Sequence, residues 1–362
     1  MGIGPVAWQP ARDVSFFARD RFRDSGPMTT VREFTRPYCQ RSNARAVRSC
    51  LATLAFYFLT LWAAIDAALG GLWAAAAGLI VLNAFGGVRL YVLQHDCGHA
   101  SLFESRRLND LAGYGLSTFT LTPFRAMQYN HNVHHAHIGD LDARDTGEIH
   151  TMTLREWENA PWHRRLAYRI YRNPLFLLPV GGLYTYLLRY RWPKNAMTVG
   201  LSEVMAQNAV LMAWLGLIWA LAGVTGLWVW LATVFVAGMI GVFLVYLQHN
   251  FEDTYWDRRP DLSPRKAALV GASALDLGAV WDLATGNIAY HDIHHFNARI
   301  PSYNLRRCHL ALRRELDAPV IHWPAALASF RLKLWDETAG KLVPFPRSPA
   351  PGERPGPVAP AR

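Results

Sequence analysis

The chain has 362 residues, of which 51% are apolar or aromatic and 18% charged, with a formal net charge of +10. Two soluble domains would fit that length, but the apolar residues run in long blocks with charges packed between them, the pattern of a multi-pass membrane protein. Arginines flanking apolar blocks account for the positive balance, and no basic-aromatic binding module can be made out, so nucleic acid is set aside as a partner.

Residues 1–46 are polar and carry Arg12, Arg19, Arg21, Arg23, Arg32, Arg36, Arg41 and Arg45. No short apolar segment with a cleavage site follows the start, which predicts a basic cytosolic segment and no cleaved signal. Apolar runs cover residues 50–69 and 72–93, separated by Gly70-Gly71. At 1.5 Å per residue each is long enough to cross a hydrocarbon core of roughly 30 Å. So short a joint predicts a helical hairpin that returns the chain to the cytosol at His95. Arg89 lies near enough to its helix end to snorkel. Residues 111–124 are apolar but short and broken by Gly113, Gly115 and Pro123, reading as an interfacial or re-entrant segment. Residues 153–192 mix tryptophan, tyrosine and arginine, as helices lying at the headgroup level do. Runs at 209–221 and 227–247, joined by the uncharged Gly223-Val224-Thr225-Gly226, predict a second hairpin that returns at His249. The proline-dense tail from about Val343 predicts disorder. One membrane domain, 47–335, is thus expected between segments 1–46 and 336–362.

Cys39, Cys50, Cys97 and Cys308 are scattered and form no CxxC pair, which fits a reducing compartment. Three histidine clusters stand out: His95-Asp96-Cys97-Gly98-His99, His131-Asn132-Val133-His134-His135 and His291-Asp292-Ile293-His294-His295. On a helix, residues three and four apart share a face, so each cluster gathers its imidazoles. Cys97 reads as a small neutral filler between two histidines. Imidazole is the commonest transition-metal ligand, and with His249 the set is too large for one zinc. Two first-row metals with four or five ligands each would use it, and thiolate-free ligation suits iron, copper or zinc, with iron the best fit if the chemistry uses O2. Asp96 and Asp292 each follow a cluster histidine and either orient ligands by accepting an N–H or are solvated charges. Asn250 and Asn287 are further candidates beside the ligands, with helix capping as the ordinary alternative. His137 is a weaker ligand candidate, and His150, His163, His309 and His322 read as surface or interfacial residues. The two hairpins bring every clustered histidine to one side of the membrane.

These clusters resemble the histidine boxes of membrane fatty acid desaturases. The likeness continues through Gln248-His249-Asn250-Phe251-Glu252-Asp253-Thr254-Tyr255-Trp256, Thr285-Gly286-Asn287-Ile288 and Arg299-Ile300-Pro301-Ser302-Tyr303-Asn304-Leu305, and through the segment from Tyr168 to Pro174. Together they are similar to the bacterial and cyanobacterial acyl-lipid branch. The resemblance implies an all-α integral membrane fold, four transmembrane helices as two hairpins under a cytosolic helical cap that holds a di-iron site. It implies O2-dependent insertion of a cis double bond into a membrane lipid acyl chain, with two non-haem iron ions as cofactor. By position the iron ligands are His95, His99, His131, His134, His135, His249, His291, His294 and His295. Val245 departs from the stearoyl-CoA branch, which has asparagine there, and Asp292 stands where many relatives have histidine. No haem-binding fusion or iron–sulfur cysteine pattern is present, so electrons are expected from ferredoxin, or from cytochrome b5, with its reductase. The expected setting is a bacterial inner membrane with the site on the cytosolic side. Two other readings compete: a related di-iron hydroxylase or ketolase acting on lipid, carotenoid or alkane, and a non-enzymatic membrane metal or haem protein, whose ligands would lie inside the spans.

Overall fold

The computed structural model describes residues 33–144, 149–192, 197–313 and 320–346. Arg12, Arg19, Arg21, Arg23, Arg32 and the tail beyond 346 lie outside the described residues. Helix α1 (Asn43–Leu69) begins where the Ser42 hydroxyl accepts the Arg45 N–H and ends at Gly70-Gly71, Gly71 taking a φ of 76°. That left-handed turn costs glycine little and sends the chain back as α2 (Trp73–Gly98). The pair is antiparallel: Asn83 Nδ2 donates to Tyr57 O at 2.6 Å, and Arg89 Nε lies 3.4 Å from Thr53 Oγ1. Helix α2 runs past the predicted end of its span, so His95 lies in its last helical turn. Next come α3 (Arg106–Thr120), the predicted interfacial stretch, and α4 (Phe124–Ala136), which carries the second histidine cluster.

Three short helices follow, α5 (Leu154–Asn159), α6 (Trp162–Tyr171) and α7 (Pro174–Leu183), the last running on into a π-helical turn over Tyr184–Leu188. Helix α8 (Leu201–His249) has 49 residues but breaks at Gly223, where φ is 59° and ψ −154°. A straight helix of that length would extend about 73 Å. Its two ends nevertheless meet the same short α4: Glu203 Oε1 accepts the Arg125 N–H at 2.8 Å, and the His249 ring lies 5.0 Å from that of His134. A 13-residue α4 is only about 20 Å long, so the limbs on either side of Gly223 run back along each other. This turn falls within the predicted four-residue joint. Helices α1, α2 and α8 are each long and apolar enough to cross a membrane. Leu59, Trp62, Trp219, Leu221 and Trp228 on them are between 63% and 78% exposed. Surfaces that apolar belong against lipid rather than water.

The remaining chain forms a cap over one end of these helices: α9 (Pro264–Val270), α10 (Ala279–Ala284), α11 (His291–Phe296), α12 (Ser302–Leu312) and α13 (Trp323–Ser329). Two small sheets tie it together. Strand β1 (Ala274–Leu275) pairs parallel with β2 (Val320–Ile321), and β3 (Leu334–Asp336) antiparallel with β4 (Lys341–Val343). The folded unit passes both expected boundaries. Trp335 pairs with Leu342, and Phe345 packs on Trp157 at 4.6 Å between ring centroids, so ordered structure continues beyond residue 335. At the other end Asn297 Nδ2 donates to Thr35 Oγ1 at 3.0 Å, anchoring chain ahead of residue 47.

Candidate metal centre

All nine histidines meet where α2, α4, α8 and α11 converge. Their ligand atoms sort into two groups, His95, His99, His131, His135 and His294 in one, and His134, His249, His291 and His295 in the other; within each group they lie within 4.8 Å of one another. The sorting follows helix geometry in an unexpected way. On α4 the i, i+4 pair His131 and His135 enters the group of five while His134 enters the group of four. On α11 the pair His291 and His295 enters the group of four while His294 crosses to the other. Each short helix therefore contributes to both groups, and three imidazoles do not act together as the sequence spacing suggested. The groups adjoin, with the His135 and His295 rings stacked at 4.2 Å.

The imidazoles converge through Nε2. His131 Nε2 lies 2.8 Å from His95 Nε2 and 2.9 Å from His135 Nε2, and His135 Nε2 lies 3.0 Å from His294 Nε2. In the other group His295 Nε2 stands 2.9 Å from His291 Nε2 and 3.2 Å from His134 Nε2. Nitrogens held at the usual 2.0–2.1 Å from one metal and at right angles are about 3 Å apart, so these edges fit ligation. Two Nε2 atoms, of His99 and His249, are buried with no hydrogen-bond partner, an arrangement that is costly without an ion. Burial, aided by repulsion between neighbouring imidazoles, pushes His99, His131, His135, His291, His294 and His295 below the ordinary histidine range. They are neutral at physiological pH, with lone pairs available to a metal. The set contains no carboxylate and no thiolate, which suits a first-row metal such as iron.

Surrounding contacts fix the rings. Gly271 O can only accept, so His249 Nδ1 donates to it at 3.1 Å and Nε2 is left free to hold a metal. Asp96 Oδ1 lies 3.5 Å from His95 Nδ1, while Oδ2 accepts the Ser302 N–H at 2.7 Å and ties α2 to the start of α12. Asp292 is buried but turns to His309 Nδ1 at 2.9 Å. His309, expected at the surface, is itself 2% exposed, because this carboxylate draws it inside. His137 Nδ1 donates to Val133 O at 2.9 Å and belongs to neither group. Asn250 serves packing: Oδ1 accepts from Arg172 at 2.5 Å and Nδ2 donates to Ser329 O at 3.0 Å. Asn287, at a φ of 63°, donates to Ser302 O at 3.2 Å and supports the turn before the third cluster. Cys97 is buried in the helix core, as a neutral filler would be.

Two positioning residues escape a reading by clusters. Gln94 and Gln248 immediately precede His95 and His249. Gln94 Nε2 donates to Thr122 O at 3.0 Å, just before α4, and Gln248 Nε2 donates to Ile288 O at 2.8 Å, just before α11. Each return limb thus holds the segment that brings the next cluster. The doubled Gln-His was the available signal.

An apolar cavity of about 240 Å³ leads away from the metal centre. His95, His131, His134, His249 and His291 border one end, and its wall follows α8 from His249 back to Thr233, with Tyr57 and Phe119 at that depth. Sixteen helical residues extend roughly 24 Å. Val245, the departure noted above, lines this wall. Helices α7 and α8 touch backbone to backbone there: a Cβ on Gly182 would lie 2.7 Å from Gly238 C. One turn on, the Tyr186 hydroxyl occupies the place a Cβ on Gly241 would take.

A family model described as "Fatty acid desaturase" matches residues 71–325. Among curated relatives, a fatty acid desaturase of Bacillus subtilis is 32% identical over 290 residues, covering 80% of this chain and 82% of its own. An sn-1 oleoyl-lipid 12-desaturase of Synechocystis is 26% identical over 228 residues, covering 62% of this chain and 64% of its own. An sn-1 acyl-lipid omega-3 desaturase (ferredoxin) of Nostoc is 28% identical over 241 residues, covering 62% and 63%.

Proposed function

The chain belongs to the fatty acid desaturase family and is a membrane oxidoreductase, and from that premise we propose that it inserts a cis double bond into the acyl chain of a membrane lipid. In this reading two non-haem irons are held by His95, His99, His131, His135 and His294, and by His134, His249, His291 and His295. The observation that carries it is the meeting of two convergent Nε2 groups at the end of a deep apolar slot. Iron bound there would supply, with O2, the oxidising power to take hydrogens from adjacent methylenes, which no side-chain acid or base can do.

The chain's own residues set the rest. Carbon–carbon bonds near 1.5 Å in a zigzag advance roughly 1.3 Å per carbon, so the slot admits a tail of well over a dozen carbons. Its apolar walls exclude water from the methylenes facing the histidines. Gly271 O aims the His249 ring by accepting from Nδ1, and burial favours the neutral form of His291, His294 and His295. The fold is read as four spans in two hairpins, with the cap and metal centre on the cytosolic side of a bacterial inner membrane. His99, His131 and His135 are only partly buried, whereas the group of four is buried throughout, so we place electron entry beside the group of five. Ferredoxin with its reductase is the donor we favour, in line with the name of the Nostoc relative.

Expression in a host without desaturases, with mass spectrometry of double-bond positions in its lipids, tests the reading. New double bonds in intact phospholipid and two irons per chain are expected. A hydroxylated or ketone product, or haem or labile zinc in place of iron, would overturn it.

A further inference from the structure

A second cavity, of about 300 Å³, lies between α1, α2, α10 and the start of α12, bordered by Ser49, Arg89, Asp282, Leu283, Tyr303 and Arg306. Arg89 precedes His95 by six residues, so it sits about 9 Å along α2 toward the membrane interior from the metal centre. Its guanidinium is partly buried: Nη1 donates to Leu283 O near the end of α10, and Nε lies 3.4 Å from Thr53 Oγ1. Among the described residues no carboxylate lies within ion-pair distance of it. Arg306 Nε donates to Asp282 Oδ2 at 3.2 Å, an oxygen that also accepts from the Tyr290 hydroxyl at 2.7 Å. Asp282 is 4% exposed, and its Oδ1 is buried with no hydrogen-bond partner. The cavity thus offers two guanidinium groups and one unanswered carboxylate oxygen, with the positive end of α12 beside them.

Its lip is apolar. Val280 is 83% exposed and Leu283, which borders the cavity, 70%. A cationic interior behind an apolar lip, at the depth where headgroups give way to tails, complements an amphiphile. Free phosphate has no use for the lip, and a bare acyl chain none for the guanidinium groups. We infer that this cavity binds the headgroup of a membrane phospholipid distinct from the acyl substrate, its phosphate between Arg89 and Arg306 and a headgroup ammonium or hydroxyl donating to Asp282 Oδ1. Val92 borders both this cavity and the acyl slot, so the two lie on opposite sides of α2 side chains without being one space. The site requires the membrane placement proposed above but not the desaturation reaction.

Iron-loaded protein, stripped of lipid in mild detergent, is titrated in native mass spectrometry with phosphatidylglycerol, phosphatidylethanolamine, phosphatidylcholine, diacylglycerol and inorganic phosphate. One phosphatidylglycerol or phosphatidylethanolamine per chain is expected to bind tightly. Phosphatidylcholine, which lacks a headgroup donor, should bind several-fold more weakly, and diacylglycerol and inorganic phosphate hardly at all. Arg306→Ala should weaken phosphatidylglycerol binding about tenfold, the loss of one charge-assisted contact, while Arg306→Lys stays within a few-fold and controls for folding. Asp282→Asn should narrow the gap between phosphatidylethanolamine and phosphatidylcholine. Double-bond formation in cells should persist in Arg306→Ala. Unchanged lipid binding in Arg306→Ala, or equal binding of diacylglycerol, overturns the site. Loss of desaturation in iron-replete Arg306→Ala would make the cavity the substrate's own headgroup seat and overturn its separateness. Absence of double bonds with the wild-type chain would sink the proposed reaction and leave the lipid titration standing.

Discussion

Arg172→Ala is expected to strip metal from the protein although Arg172 touches no histidine ring. The residue is fully buried and meets the end of α8 at Asn250, the neighbour of His249. Nη1 donates to Thr151 Oγ1 at 2.7 Å and His150 O at 3.1 Å, and Nη2 to Asn250 Oδ1 at 2.5 Å and Leu332 O at 3.2 Å. No carboxylate appears among these acceptors, so the residue acts as a hydrogen-bonding hub that joins the turn before α5, the end of α8 and the segment before β3. After truncation Leu332 O retains Asn250 Nδ2 and the Tyr246 hydroxyl, and the Thr151 hydroxyl can turn elsewhere. Asn250 Oδ1 and His150 O lose the arginine as donor. At about 1–3 kcal/mol for each such buried group, less the relief of no longer burying a cation, a net loss of about 3 kcal/mol follows. For a chain of this size that is a fall in Tm of roughly 4 °C. Because Asn250 adjoins His249, loosening it also disorders the group of four. Thermal unfolding in detergent and iron content per chain are the readouts, with Asn250→Ala as companion. The double variant should fall short of the sum of the two single losses, as expected for members of one network. Two irons retained and a Tm within about a degree of wild type would refute the hub.

Alanine at His134 or at His294 strikes a different group in each case, and both should abolish new double bonds while the protein stays in membranes; lipid mass spectrometry and immunoblotting decide, and persistent activity in both variants would sink the ligand assignment. Gly241→Val should push Tyr186 into the slot and cut turnover on long acyl chains about tenfold or more at full iron content; a rate equal to wild type would show that the tail does not pass there. Lys333 is held down to about 8, first by burial and then by nearby Arg172. Its folded form therefore sheds a proton more readily than the unfolded chain, so stability should rise as pH climbs from about 8 toward the unfolded value near 10.4. Denaturation midpoints across that range should lose this rise in Lys333→Met; an unchanged pH slope would argue against the shift.

The gathering of the nine histidines was largely legible because imidazoles three and four apart on a helix share a face. The division into five and four was not, since it depends on how α4 and α11 are rotated against each other, which no local spacing encodes. Asp292 and His309 are seventeen residues apart in sequence, and only the packing of α12 on α11 makes them a buried pair. Asn250 looked like a neighbour of ligands because it follows His249; a helix end turns successive side chains in different directions, and this one points at Arg172. The spans could be read from hydropathy, and the break at Gly223 from an uncharged Gly-Val-Thr-Gly joint. Strands β3 and β4 gave little warning, being three residues each in a region rich in turn formers.

The crossing of α4 and α11 between the two histidine groups bears on how the protein matures. An ion held by the group of five would immobilise both helices through His131, His135 and His294, and so pre-arrange His134, His291 and His295 for a second ion. If two ions bind, loading would then tend to be cooperative, with the half-filled protein the minor species. A substitution that displaces either helix would therefore reach both groups, whichever group the altered residue belongs to.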